Sequence, residues 1–310
     1  MATPWALAQG GDSRAGPMRI VVPFAAGGGN DIFARQMAQR LAELRAQAVV
    51  VENKPGAGGN LGTEFVVRAP ADGATLLLGH SGTLAINPAL YRKLAFDTQR
   101  DLAPVAAFAS APLVLVVHPA LPVRSVGELM ALARAQPGRL NYASSGSGTG
   151  AHLTGEMFGT QGGMKLVHVP YKGTAPALTD VIGGQVQMMF SVSPPVLQHI
   201  AQGRLRALAV TGARRMPSLP QVPTVAESGL PGFESSLSYG LLAPRGTPES
   251  FVRELAAQVQ RAVAAAEFQE RLAAEGAVPM PLGPADFATL IAAERTKWAE
   301  VVKAAGATLD

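Results

Sequence analysis

The chain has 310 residues, a prior of about two domains, and 48% hydrophobic against 15% charged residues supply apolar material for proper cores. That balance excludes a disordered or collagen-like chain. Twenty-six basic and 22 acidic residues leave a net +4 with no basic stripe interleaved with aromatics, which argues against nucleic acid, and the lack of cysteine removes disulfides, thiolate metal sites and thiol nucleophiles.

In chain order, residues 1–17 read as a tail. Within it Ala6-Leu7-Ala8, followed by Gln9, has the small-x-small form of a secretory cleavage site, so the tail is read as a signal-peptide remnant and the protein as exported. Ile20–Pro23 is a β-type run, Phe24–Asn30 is glycine-rich, and Ile32, Met37, Leu41 and Leu44 give Asp31–Leu44 helical spacing. Val49–Val51 is the next strand. Asn60–Arg68 and Thr75–Leu78 add a second helix and a third strand. The uncharged stretch Leu102–Val123 is long enough to span a membrane, but its four prolines make buried strands such as Leu113–Val117 the better reading.

The opening pattern then returns. Leu140–Ala143 is β-type, Ser144–Gly150 is rich in glycine and serine, Ala151–Phe158 reads as a helix and Leu166–Val169 as a strand. Val22 and Val51 stand 29 positions apart, Tyr142 and Val169 27, the spacing of strand–helix–strand crossovers in parallel sheets. Ala175–Ile182 and Val186–Phe190 extend this unit, Leu205–Thr211 pairs into its sheet, and Ser238–Leu242 returns toward the first. Two helices, opened by Pro248-Glu249-Ser250 and Pro284-Ala285-Asp286, are expected to cover the first lobe. The expected division is a first lobe of residues 18–103 plus 226–310, with 104–225 inserted as a second lobe and a hinge where the chain crosses twice.

A glycine-rich loop between a parallel strand and a helix presents free N–H groups and the positive end of the helix dipole, a setting for an anion. Two such loops facing each other across a hinged cleft point to one small ligand. Gly146–Ala151 fits the dinucleotide pattern G-x-G-x-x-A, yet Leu166–Gly173 offers no acid for a ribose, and neither a phosphate-loop nor a G-x-S-x-G motif occurs. The five histidines are too dispersed for a metal pair; only His152, just inside the second loop's helix, is placed to touch a cleft. Asp31 reads as an acid complementing its helix dipole or as a partner for a ligand amine or hydroxyl. Tyr171 and Lys172 follow the strand after the second loop; Tyr171 is a candidate ligand-binding residue, and Lys172 reads as a solvated loop lysine or as the one cation able to approach the ligand. No nucleophile–base–orienter set can be assembled, and no cofactor or metal is expected.

Val21-Val22-Pro23-Phe24-Ala25-Ala26-Gly27-Gly28-Gly29-Asn30-Asp31, Val51–Asn60, Ala85-Ile86-Asn87-Pro88-Ala89-Leu90-Tyr91, Val169-Pro170-Tyr171-Lys172-Gly173 and Pro223–Gly229 resemble the Bug receptors, periplasmic solute-binding proteins of tripartite tricarboxylate transporters. The resemblance runs from Met18 onward. It implies an α/β, two-lobed periplasmic-binding-protein (Venus flytrap, type II-like) fold, a periplasmic location, capture of a small carboxylate and delivery to membrane permease subunits by a monomer. It implies further that backbone amides hold the carboxylate, with ordered waters against the first lobe. The corresponding residues are Phe24, Ala26, Gly27 and Gly28, then Ser145, Gly146, Ser147, Gly148 and Thr149, with Ser81, Thr83 and Asn87 as selectivity positions. Ala26 replaces the family's usual proline. Few aromatics, 11 Phe, 4 Tyr and 2 Trp, disfavour a sugar ligand. The alternatives are a two-lobed α/β enzyme of transferase or dehydrogenase type and a ligand-sensing receptor.

Overall fold

The computed structural model describes residues 16–27, 29–171 and 173–309. The signal remnant at Ala6–Ala8, Gly28 and Lys172 lie outside the described residues. Strands β1 (Met18–Val22), β2 (Val49–Asn53), β3 (Thr75–His80), β4 (Leu102–Pro112), β10 (Ser236–Pro244) and β11 (Val278–Leu282) form one sheet in the order β11-β4-β10-β3-β1-β2. Strands β5 (Val114–Val117), β6 (Asn141–Ser144), β7 (Val167–Pro170), β8 (Met188–Ser191) and β9 (Arg206–Val210) form the second, ordered β7-β6-β8-β5-β9. In each sheet three strands run parallel, β2-β1-β3 and β7-β6-β8, and antiparallel strands complete it. The parallel strands are joined by helices, as right-handed crossovers require. Helices α1 (Gly29–Arg45) and α2 (Asn60–Val67) serve the first sheet, α6 (Gly150–Gln161) and α7 (Thr174–Ile182) the second.

Each sheet has its own apolar core. Ile20, Val22, Phe33, Met37 and Leu41 pack with Leu255 and Val259 of α9 (Glu249–Ala264) in the first, where α9 turns one apolar stripe inward. Leu115, Tyr142, Phe158 and Phe190 pack in the second, with Leu129 of α5 (Val126–Ala135). Ser125 caps α5 by accepting the Glu128 N–H at 3.1 Å, while the Glu128 carboxylate accepts the Arg124 N–H, and these bonds satisfy N–H groups that a helix start leaves open. At Gly62 of α2 a Cβ would stand 2.7 Å from the Lys54 carbonyl oxygen and 2.8 Å from Pro23 Cα, so only glycine lets this helix close on the base of the first loop.

Two expectations need correction. Residue 104 lies inside β4, whose whole length pairs with β10, and the stretch after 225 still serves the second lobe, with Leu230 and Phe233 in its core. By sheet membership the chain crosses at Pro112/Leu113 and Ser235/Ser236. Four prolines and alternating apolar runs gave no mark of where one buried strand changes sheet. Helix α11 (Pro284–Ala305) does not cover the first lobe alone: Phe287 and Ile291 pack there, but Trp298 and Val302 share a cluster with Leu153 of α6.

Thr211 ties the two crossings together. Its Oγ1 accepts the Leu113 N–H at 2.8 Å and its hydroxyl donates to the Ser235 carbonyl; its own N–H and C=O bond Leu113 O and Ser235 N, each at 2.8 Å.

Candidate functional site

Between the carboxyl ends of the parallel strands lies a cavity of about 330 Å³, at the small end of the range for ligand pockets. Phe24, Asn30, Gly58, His80, Asn87 and Tyr91 line it from the first lobe, and Ser145, Ser147, Gly150, Thr174 and Ser191 from the second, with Leu90, Leu113, Met189, Phe190 and Leu237 supplying apolar wall. Among the described lining residues none is Arg, Lys, Asp or Glu.

The second loop is folded back on itself so that some N–H groups are spent and others are not. Gly146 N–H donates to Ser144 Oγ at 3.2 Å, Thr149 N–H to the Gly146 carbonyl at 3.3 Å, and Gly148 N–H to His152 Nδ1 at 3.0 Å. Gly148 takes φ +76°, and a Cβ there would meet Leu90 Cδ2 at 2.1 Å, so the loop and the first lobe touch only through glycine. The N–H groups of Ser145, Ser147, Gly150 and Ala151 have no acceptor among the described residues. Gly150 and Ala151 are the first two residues of α6, whose first turn carries no acid. These four amides, all on lining residues, with the positive end of a three-turn helix behind them, form a setting suited to an anion, with no side-chain cation among the described lining residues.

The first loop is wired otherwise. Asp31, 3% exposed, accepts Gly27 N–H, Arg35 Nε and Asn53 Nδ2, each at 2.9 Å, and Asn53 also donates to the Phe24 carbonyl. Burial pushes the Asp31 carboxyl upward, but the bonds from Arg35, Gly27 and Asn53 together hold it below its ordinary range. Ala26, Gly27 and Asp31 do not line the cavity; from this loop Phe24 and Asn30 do.

The remaining expected residues divide in the same way. Asn87 lines the cavity, although its Nδ2 donates to Gly58 O and Asn60 Oδ1 and so fixes the neighbouring turn. Ser81 and Thr83 are fully buried behind the wall: Ser81 bonds Ser238 and Glu294, and Thr83 bonds both backbone groups of His80. Desolvation keeps the Glu294 carboxyl above its usual range. Tyr171 lies outside the lining, its hydroxyl donating to Asp180 at 2.6 Å, with burial and that carboxylate pushing the phenol up to about 12. His152 faces a second, shallower depression shared with residues 305–309, where it stacks on His168 at 3.9 Å.

Sequence reasoning passed over His80, Tyr91, Thr174 and Ser191. His80 and Ser191 end strands of the two sheets, so the rule that ligands lie outside strand carboxyl ends would have found both. Tyr91 and Thr174 carried no such signal.

Comparison with known proteins sets this site in a family. Residues 33–307 match the model of the tripartite tricarboxylate transporter family receptor. Protein BugT of Bordetella pertussis is 38% identical over 294 residues, covering 94% of this chain and 90% of its own. Among solved structures, Rpa4515 of R. palustris with adipate is 38% identical with a TM-score of 0.86, covering 96% of this chain and 100% of that one. MatC of Rhodopseudomonas palustris with bound malate is 34% identical with a TM-score of 0.80 over 92% and 98% of the two chains. The enzyme alternative falls, since the matched proteins are binding receptors. The chain belongs to the tripartite tricarboxylate transporter receptor family and is a two-lobed α/β solute-binding receptor.

Proposed function

We propose that the protein captures a small carboxylate in the interlobe cleft, in the periplasm, for delivery to the permease subunits of a tripartite tricarboxylate transporter. The observation that carries this reading is the set of unspent amides at Ser145, Ser147, Gly150 and Ala151, on a cavity whose described lining residues include no Arg, Lys, Asp or Glu. A carboxylate there accepts several N–H bonds at once, and charge-assisted bonds of that kind are the stronger class. The dicarboxylates adipate and malate in the matched structures support the same class of ligand. The hinge at Leu113 and Ser235 lets the lobes close around it.

A thermal-shift screen of small carboxylates and their neutral amides, on protein unfolded and refolded to strip copurified solute, tests the reading. At least one carboxylate raises the melting temperature and its amide does not. Equal shifts by acid and amide would remove the anion pocket from the account.

A further inference from the structure

His80 closes β3 at the carboxyl edge of the first sheet, and its ring is held from three sides. Phe24 stacks on it with centroids 4.7 Å apart, Tyr239 meets it edge-on at 5.9 Å, and Gly82 N–H donates to Nδ1 at 2.7 Å. A backbone N–H only donates, so Nδ1 carries the lone pair and the imidazole proton sits on Nε2. Burial lowers the pKa to about 4, which keeps the ring neutral near neutral pH. His80 lines the cavity from the first lobe and the unspent amides line it from the second, and among the described residues Nε2 has no hydrogen-bond partner.

We propose that His80 is a specificity-determining residue: its Nε2–H donates to an oxygen at the end of the ligand that lies against the first lobe, opposite the carboxylate held by the second. The site then selects carboxylates whose far end bears a carboxylate, carbonyl or hydroxyl oxygen over those ending in a methyl or an ammonium group. This rests on the carboxylate reading above. A methyl leaves the N–H without an acceptor in a desolvated cleft, and sites built to bond a polar group reject analogues lacking it for that reason. An ammonium sets donor against donor, and no described lining residue offers it a carboxylate.

Calorimetry decides it with three matched probe series: dicarboxylates from succinate to pimelate, the monocarboxylates of the same lengths, and the corresponding ω-amino acids. At the best-fitting length the wild-type protein binds the diacid about tenfold or more tighter than either analogue. In His80→Asn, whose Oδ1 takes over as acceptor for Gly82 N–H, and in His80→Phe, which keeps the stack on Phe24, that preference collapses while the monoacid is little changed. A preference that survives in either variant overturns the assignment, and so does a wild-type protein that binds the amino acid or monoacid as tightly as the diacid. If the variants melt early, the wild-type series decides alone. Silence from every acid in all three series overturns the carboxylate reading itself, and this inference with it.

Discussion

In the first lobe, the acid at the start of α1 occupies the Gly27 N–H and holds Asn53 and Arg35, so the loop is braced by side chains, and among its described residues Phe24 and Asn30 line the cleft. In the second, α6 begins without an acid, the loop is braced from behind by His152 and Ser144, and its remaining amides open toward the ligand cavity. The sequence presents the same device twice, strand, glycine-rich turn, helix. The copies differ at one carboxylate: Asp31, in the first turn of α1, meets the Gly27 N–H and the helix dipole from within, whereas the first turn of α6 holds no acid.

The sharpest test of that contrast is at Gly150. Thr149 has φ −73° and ψ 159°, a conformation that proline tolerates in its predecessor, and the first helical position is where proline is best accepted. Gly150→Pro therefore removes one unspent N–H with little strain on the backbone, and Gly150→Ala adds a Cβ against the flexible end of Leu237 while keeping the N–H. Carboxylate affinity should fall about tenfold or more in the proline variant relative to the alanine variant, the worth of a hydrogen bond to a charged group. Equal affinities by calorimetry would break the assignment of the anion to α6.

The reverse experiment is Asp31→Asn. It strips the ion pair with Arg35 and turns one acceptor into a donor facing either the Gly27 N–H or the Asn53 amide, so stability should drop by about 1–3 kcal/mol, at roughly 2–4 °C of melting temperature for each. Affinity, measured below the new melting point, should stay within about threefold. A loss matching that of Gly150→Pro would show that the first loop shares the anion after all.

The strands and helices of both crossovers were legible because period and glycine-rich turns repeat in order, and the family motifs lie on the same segments. What stayed hidden is the disposition of hydrogen bonds. Nothing in Gly146-Ser147-Gly148 says which amide turns inward to His152, and Ser81 and Thr83, polar residues after a strand, turn out to support β3 and β10 from behind. The lobe boundary escaped for a related reason: β4 and β5 form one nearly continuous apolar run, and the switch between sheets is made by Leu113 bonding to Thr211, 98 residues away. Thr211→Val tests that switch. It leaves the buried Leu113 N–H without its acceptor, an expected cost of about 1–3 kcal/mol in denaturant unfolding. An unchanged midpoint would assign the hinge to the backbone bonds alone.

The smallest effect should come from pH, and it separates the two lobes once more. His80 in the first lobe is pushed down to about 4 by burial, and in the second His168 to about 4 and His152 downward, by burial first, with the His152–His168 stack adding to the shift of His168. A histidine with a depressed folded pKa binds fewer protons folded than unfolded, so its neutral form is tolerated in full above the unfolded value near 6.5. Stability is then lost as pH falls from about 6.5 toward about 4, below which both states are protonated and the loss levels off. The paired carboxylates Asp31, Asp97 and Asp101, all held low, lose their contribution only at more acid pH, and Glu294, held high by burial, works against the trend. The partly exposed ring of His168 keeps its share below the full linkage value, so a decline of a few degrees between pH 6.5 and 5 is expected. The decline should be shallower in His168→Gln, which cannot acquire the proton. A melting temperature flat across that interval would show that neither lobe holds its histidines neutral.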